Sequence, residues 1–175
     1  METESLVIKA KKGDKEALVK LIMLKEQEYY KLAYIYMKNK EDSLDAMEDM
    51  IILLYDKIHQ LKKEEAFYSW SKTILVNCCK KQLKNQKKFV SIDQIKEAFT
   101  EGEIEQKEDQ LLLDKYLSQL KEQHQEVLKL RYFLDLEYET IASILKIPLG
   151  TVKSRLSIGL KKLKESMGGE GYEKG

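Results

Sequence analysis

A single proline, Pro148, in a chain of 175 residues is the strongest constraint on what this sequence can become. Proline and glycine are the residues that most readily interrupt helices, and beside that proline there are only eight glycines. A sheet protein needs turn signals at short intervals, and here they are missing. Long helices joined by short connections follow, so the expected fold class is all-α. With 43% apolar residues the chain can supply a core, and its length suits one ordinary domain or two small ones.

Hydrophobic spacing divides the chain. After Gly13, Asp14 is placed to cap a helix or broken pair of helices carrying Leu18, Leu21, Ile22, Tyr29, Leu32 and Ile35. Asn39 marks an exit, and Asp42 or Ser43 is placed to cap a helix whose expected buried stripe is Leu44, Met47, Ile51, Leu54, Ile58 and Leu61. A third helix begins near Glu64 and buries Phe67, Trp70, Ile74, Cys78 and Leu83 on one side. Its other side carries Thr73, Asn77, Lys80, Lys84 and Lys87 at steps of four and three, a polar stripe that becomes cationic along the rod and suits a phosphate backbone. From 91 to 110 glutamates accumulate and apolar periodicity fades, which is the composition of a solvated linker. A second helical unit is expected over 111–167, followed by a frayed tail over 168–175. The expected architecture is therefore two small helical domains, 1–90 and 111–167, joined by an acidic linker.

Several function classes are disfavoured by composition. The net charge of +1 argues against a protein that coats nucleic acid by bulk electrostatics. Cys78 and Cys79 are adjacent and point in different directions on a helix, so neither a disulfide nor a zinc site is expected. His59 and His124 have no convincing ligand set around them, and neither a metal nor another cofactor is expected. The longest apolar run, Met50 to Tyr55, is too short to span a bilayer, and the N-terminus has no apolar export segment, so a cytoplasmic location without membrane insertion is expected.

The most specific pattern lies in the second unit. Tyr138-Glu-Thr-Ile-Ala-Ser-Ile-Leu145, then Lys146-Ile147-Pro148, then Leu149-Gly-Thr-Val-Lys-Ser-Arg-Leu156 reads as helix, tight turn, helix. Ile141, Ala142 and Leu145 face inward from the first helix, and Val152, Leu156, Leu160 and Leu163 from the second, which Pro148 is placed to open. Thr151, Lys153, Ser154, Arg155 and Ser157 are left around the exposed side and leading end. These are side chains that pair with base edges and phosphates in a major groove.

Glu126-Val-Leu-Lys-Leu-Arg-Tyr-Phe133 through Leu156, and above all Gly150-Thr-Val-Lys-Ser-Arg-Leu156, resembles the domain of extracytoplasmic-function sigma factors that binds the minus-thirty-five promoter element. Phe67-Tyr-Ser-Trp70, Ile74 and Asn77 running into a lysine-rich helix resemble the minus-ten-binding region of the same family. Asp45-Ala-Met-Glu48-Asp49 resembles the helix that docks on the polymerase clamp. The resemblance covers residues 14 to 165 in the family's order. The chain departs from the family pattern at Glu48-Asp49, where Gln-Glu is common, at Lys121, often proline, and at Gln125, often Arg.

The resemblance implies an alternative sigma factor that brings RNA polymerase core to specific promoters, with a dedicated anti-sigma partner and no catalysis of its own. A monomer is expected when it is free. Asn77, Lys80, Lys84, Lys87 and Tyr68 are the expected contacts to the melted minus-ten element, and the loop from His59 to Glu65 corresponds to the pocket for an extruded base. Trp70 and Phe67 are expected in the core rather than stacked on bases. Asp45, Glu48, Asp49, Ile52 and Asp56 are the expected polymerase contacts, because acids around an exposed isoleucine suit a cationic surface with an apolar centre. Two other classes compete. A conventional helix-turn-helix regulator would bind duplex DNA without polymerase, usually as a dimer, but leaves the first unit unexplained. A nucleic-acid enzyme would need paired carboxylates or an activated nucleophile, which the sequence does not assemble.

Overall fold

The computed structural model describes residues 2–89 and 108–168. The chain forms two compact units, 1–90 and 91–175, and the described residues of both are helical with no strand. Side chains of 87–89 and 108–111 lie outside the described set, as do residues 90–107 and 169–175, where most of the expected linker and the expected tail fall.

The first unit comprises α1 (Glu2–Lys11), α2 (Lys15–Leu24), α3 (Glu26–Met37), α4 (Lys40–Lys57) and α5 (Phe67–Phe89), with short 3-10 turns at Ile58–Gln60 and Glu64–Ala66 between the last two. Asp14 caps α2 as expected, its carboxylate accepting the Ala17 amide at 3.2 Å. The α2–α3 break falls at Lys25 with neither glycine nor proline. The cap of α4 is Asn39 itself rather than Asp42 or Ser43: its side chain accepts the Asp42 amide at 2.8 Å, after Lys38 turns the chain through the left-handed region at φ 65°.

Helix α4 packs against both α3 and α5. Its buried face is Ser43, Ala46, Met47, Met50 and Leu54, which corrects the expected stripe: Leu44 is exposed and Ile51 is half-buried. Small residues take the inward positions because a helix held between two neighbours must approach them closely. The buried face of α5 also departs from the expected stripe, shifted by one residue toward the C-terminus where that of α4 is shifted toward the N-terminus. Helix α5 buries Phe67, Ser71, Leu75 and Cys79, with Val76 and Cys78, while Trp70, Ile74 and Leu83 are half-buried. Thr73, expected on the polar stripe, is buried and donates its hydroxyl to the Ser69 carbonyl at 3.0 Å. The Tyr29 and Ser71 hydroxyls share a buried hydrogen bond of 2.6 Å, so this polar pair is satisfied inside the core. Burial pushes both cysteine thiols up, Cys79 to about 12, so neither is a thiolate at neutral pH.

The second unit comprises α6 (Glu108–Ser118), α7 (Glu122–Tyr132), α8 (Tyr138–Leu145) and α9 (Leu149–Gly168). Helix α6 begins inside the stretch expected to be linker, because the glutamates that thin the apolar pattern there are compatible with a first helical turn. The turn between α8 and α9 is built by Lys146 in the left-handed region at φ 54°, with the Ile147 amide donating to the Ala142 carbonyl at 3.1 Å. Pro148 lies one position ahead of α9, and its carbonyl accepts the Thr151 and Val152 amides at 3.0 and 3.2 Å. Val152 and Leu156 are buried as expected, whereas Leu160 and Leu163 are only half-buried. Ile144 is the fully buried residue of α8 beside Ile141, and Leu145 is half-buried.

Gly159 is where α9 meets α7 most closely. A Cβ there would lie 3.1 Å from Leu128 Cδ1 and 3.4 Å from His124 Cβ, so a side chain at this position would press on Leu128. His124 beneath it is 3% exposed, and its Nδ1 has no hydrogen-bond partner. Burial, then the charges of Lys162, Lys121 and Arg155, hold its imidazole below the usual histidine range. The folded unit therefore keeps His124 neutral, while the unfolded chain takes up a proton near the ordinary value of about 6.5. This contribution to stability is complete above that value and is lost as the pH falls through it toward the depressed folded value. Thermal unfolding followed at α9 amide signals is expected to show a midpoint that drops below about pH 6.5, and His124→Phe is expected to flatten that slope. Equal slopes in both proteins would assign the acid sensitivity to other groups.

Candidate nucleic-acid and partner-binding surfaces

The leading half of α9 is held by Val152 and Leu156 against the rest of its unit, which fixes what faces solvent. Lys153, Ser154 and Ser157 are exposed, and Thr151 and Arg155 are half-buried. Ser154 donates to the Thr151 carbonyl at 3.3 Å, a bond within the helix. Arg155 lies one turn before Gly159, on the side of α9 that meets His124 and Leu128 of α7. Thr151, Lys153, Ser154 and Ser157 thus surround one helix end, with Arg155 at its edge. The start of α8 is held to α7 by Arg131, which donates to the Leu136 carbonyl at 3.0 Å and lies 5.2 Å from the centre of the Tyr138 ring.

On α5, Asn77, Lys80 and Lys84 are exposed along one face, and the spacing continues to Lys87, whose side chain lies outside the described residues. Tyr68 is not brought to this face. It precedes Asn77 by nine residues, which at about 100° per residue places it on roughly the opposite side of the helix. Its hydroxyl donates to the Leu21 carbonyl at 3.0 Å, its ring meets Phe67 edge-on at 5.3 Å, and burial raises its phenol above the usual range. Tyr68 ties α5 to α2. Phe67 is in the core, and Trp70 is half-buried against it, with ring centres 6.2 Å apart. The His59 to Glu65 connection contains the two 3-10 turns and is held to α1 by Lys11 and Glu64 at 3.4 Å.

Helix α4 turns Asp45, Glu48, Asp49, Ile52 and Asp56 outward, all exposed, with Ile52 at 62%. Two neighbours escaped the sequence pattern. Leu44 and Tyr55 are 42% and 45% exposed on the same outward side, so the apolar part of this surface is larger than Ile52 alone. The spacing of Leu44, Glu48, Ile52 and Tyr55 carries this signal, which the step from Leu44 to Met47 and Ile51 masks by making Leu44 part of an apolar stripe. Tyr132 and Phe133, exposed at the end of α7, form a second apolar spot that was not singled out. Among the described residues no group of three histidines, cysteines or carboxylates could hold a metal, and no helix is long and apolar enough to cross a membrane.

Comparison with known proteins places both units. Residues 21–89 match the family model "Sigma-70 region 2", and residues 116–165 match "Sigma-70, region 4". The chain is 33% identical over 155 residues to the RNA polymerase sigma factor SigV of Bacillus subtilis, covering 88% of this chain and 93% of that one. It is 29% identical over 166 residues to the ECF RNA polymerase sigma-E factor of Escherichia coli, covering 86% of each. Its fold is similar to that of the sigma factor RpoE from Bartonella quintana, solved in complex with the anti-sigma factor NepR, with a TM-score of 0.59 at 19% identity over 82% of this chain and 92% of that one. A cationic α5 face, an acidic and apolar α4 face and a helix-turn-helix, in that setting, make the chain a member of the sigma-70 family, in its extracytoplasmic-function branch.

Proposed function

We propose that this chain works in the cytoplasm as an alternative sigma factor whose two units hold RNA polymerase core on a promoter, with no catalytic step of its own. The observation that carries this is the pairing of faces within the first unit. Helix α4 offers acids around Leu44, Ile52 and Tyr55, suited to a cationic protein surface with an apolar centre, and α5 offers Asn77, Lys80 and Lys84 to nucleic acid. The α4 face, with Asp45, Glu48, Asp49, Ile52 and Asp56, docks on the clamp of the largest polymerase subunit. The α5 face, with Lys87 continuing it, takes the melted minus-ten element.

In the second unit, Thr151, Lys153, Ser154, Arg155 and Ser157 read the minus-thirty-five duplex from the leading end of α9. Each unit alone makes few contacts. Holding both on one polymerase raises the local concentration of the second contact once the first has formed. An anti-sigma protein that covers these same surfaces would switch the chain off, and the complex of the similar RpoE with an anti-sigma factor supports such a partner.

Transcription from a promoter library by purified core polymerase is expected to start at promoters with two spaced elements only when this chain is added. Duplex binding without polymerase, and no new start sites, would indicate a conventional regulator. Charge reversal at Lys153 or Arg155 is expected to weaken upstream-element capture about tenfold while leaving core binding intact. Ile52→Asp is expected to weaken core binding about tenfold or more in a competition assay, and leaving it unchanged would remove α4 from the docking surface.

A further inference from the structure

The second half of α5 is seated differently from the first. Among the described side chains its last fully buried residue is Cys79, and from Lys80 through Gln86 every side chain is exposed or half-buried. Apolar packing therefore holds the start of the helix more firmly than the part that carries Lys80 and Lys84, and a less covered stretch of helix opens more readily. Gln86 supplies a tether. Its Nε2 donates to Asp42 Oδ2 at 3.1 Å, bridging 44 residues of chain.

The Asp42 carboxylate is itself fixed. The same oxygen accepts Asn39 Nδ2 at 2.9 Å, the Asp42 amide donates to Asn39 Oδ1 at 2.8 Å, and Asn39 Nδ2 also reaches the Met37 carbonyl at 3.1 Å. The carboxylate held by the Asn39 cap of α4 is thus also the anchor for α5, through a charge-assisted bond. One turn before Gln86 on the same face, Gln82 Oε1 is buried without a partner and adds no tether through that atom.

We propose that Gln86 and Asp42 form a positioning brace between the docking helix α4 and the second half of α5, holding Lys80 and Lys84 at the backbone of the downstream promoter element. The brace rests on the assignment of the α4 and α5 faces made above. Gln86 acts through the lysines and is not itself a contact. Its removal leaves α4 and the first half of α5 packed, so assembly with polymerase persists while phosphate contacts are lost.

The test is promoter-fragment capture over a salt series by holoenzyme reconstituted from core polymerase and the full chain. Gln86→Ala is expected to assemble as the wild type does and to capture about three- to tenfold less. Its slope of log affinity against log salt should shrink by about 1.4–1.8, two phosphate contacts, as in the Lys80→Gln, Lys84→Gln double variant. Adding Gln86→Ala to that double variant should reduce the slope no further. Asp42→Asn, which keeps an acceptor for Gln86 and leaves the Asn39 cap of α4 in place, should capture close to wild type. A Gln86→Ala holoenzyme with an unchanged salt slope overturns the brace, whether or not its affinity falls. Wild-type capture by both Lys80→Gln and Lys84→Gln instead overturns the assignment of the α5 face on which the brace rests.

Discussion

The close seating of α4 between α3 and α5 is the constraint on which the first unit depends. Ser43, Ala46, Met50 and Leu54 are fully buried there, and the Ser43 hydroxyl is satisfied by the Asn39 carbonyl at 2.6 Å. Two small residues in the first turns let the helices approach, and the larger Met50 and Leu54 fill the space farther along. Once that face is inward, the rotation of α4 is fixed, and Leu44, Ile52 and Tyr55 turn to solvent among carboxylates. The outward face of acids and apolar side chains is thus a by-product of which residues are small enough to be covered.

The second unit follows the same logic with a glycine. Gly159 lets α9 close on His124 and Leu128 of α7, and Val152 and Leu156 fix the leading half of the helix. What remains outward at that end is a set of hydroxyls and cations. The close approach also leaves the His124 imidazole with no bond at Nδ1, and burial, then the charges of Lys162, Lys121 and Arg155, hold it below the usual histidine range.

A net charge of +1 conceals an acidic helix and a cationic helix packed against each other in one unit. At physiological salt, exposed charges act over about 8 Å, so each face is felt by what touches it and little by what is distant. Such a chain has weak general attraction to DNA, and its cations become effective where another contact already holds the nucleic acid in place. That is the electrostatic design suited to a subunit that recognises DNA while attached to a larger enzyme.

Element type was determined by the sequence itself. Scarce proline and glycine, apolar steps of three and four, and the Lys146-Ile147-Pro148 turn dictate helices, two units and a helix-turn-helix, because these depend on local backbone preference and period. The exposed positions of Asn77, Lys80, Lys84, Lys153 and Ile52 were legible for the same reason. The rotation of each helix about its axis was decided only by tertiary packing. Leu44 and Thr73 exchanged their expected sides because Ser43 and Ala46 fit a close interface and the Thr73 hydroxyl could bond its own helix. Tyr68 bonds the Leu21 carbonyl on the side of α5 away from Asn77, and Gln86 meets Asp42 from 44 residues away. Contacts of that range follow from the shape of the assembled core, which no local pattern encodes.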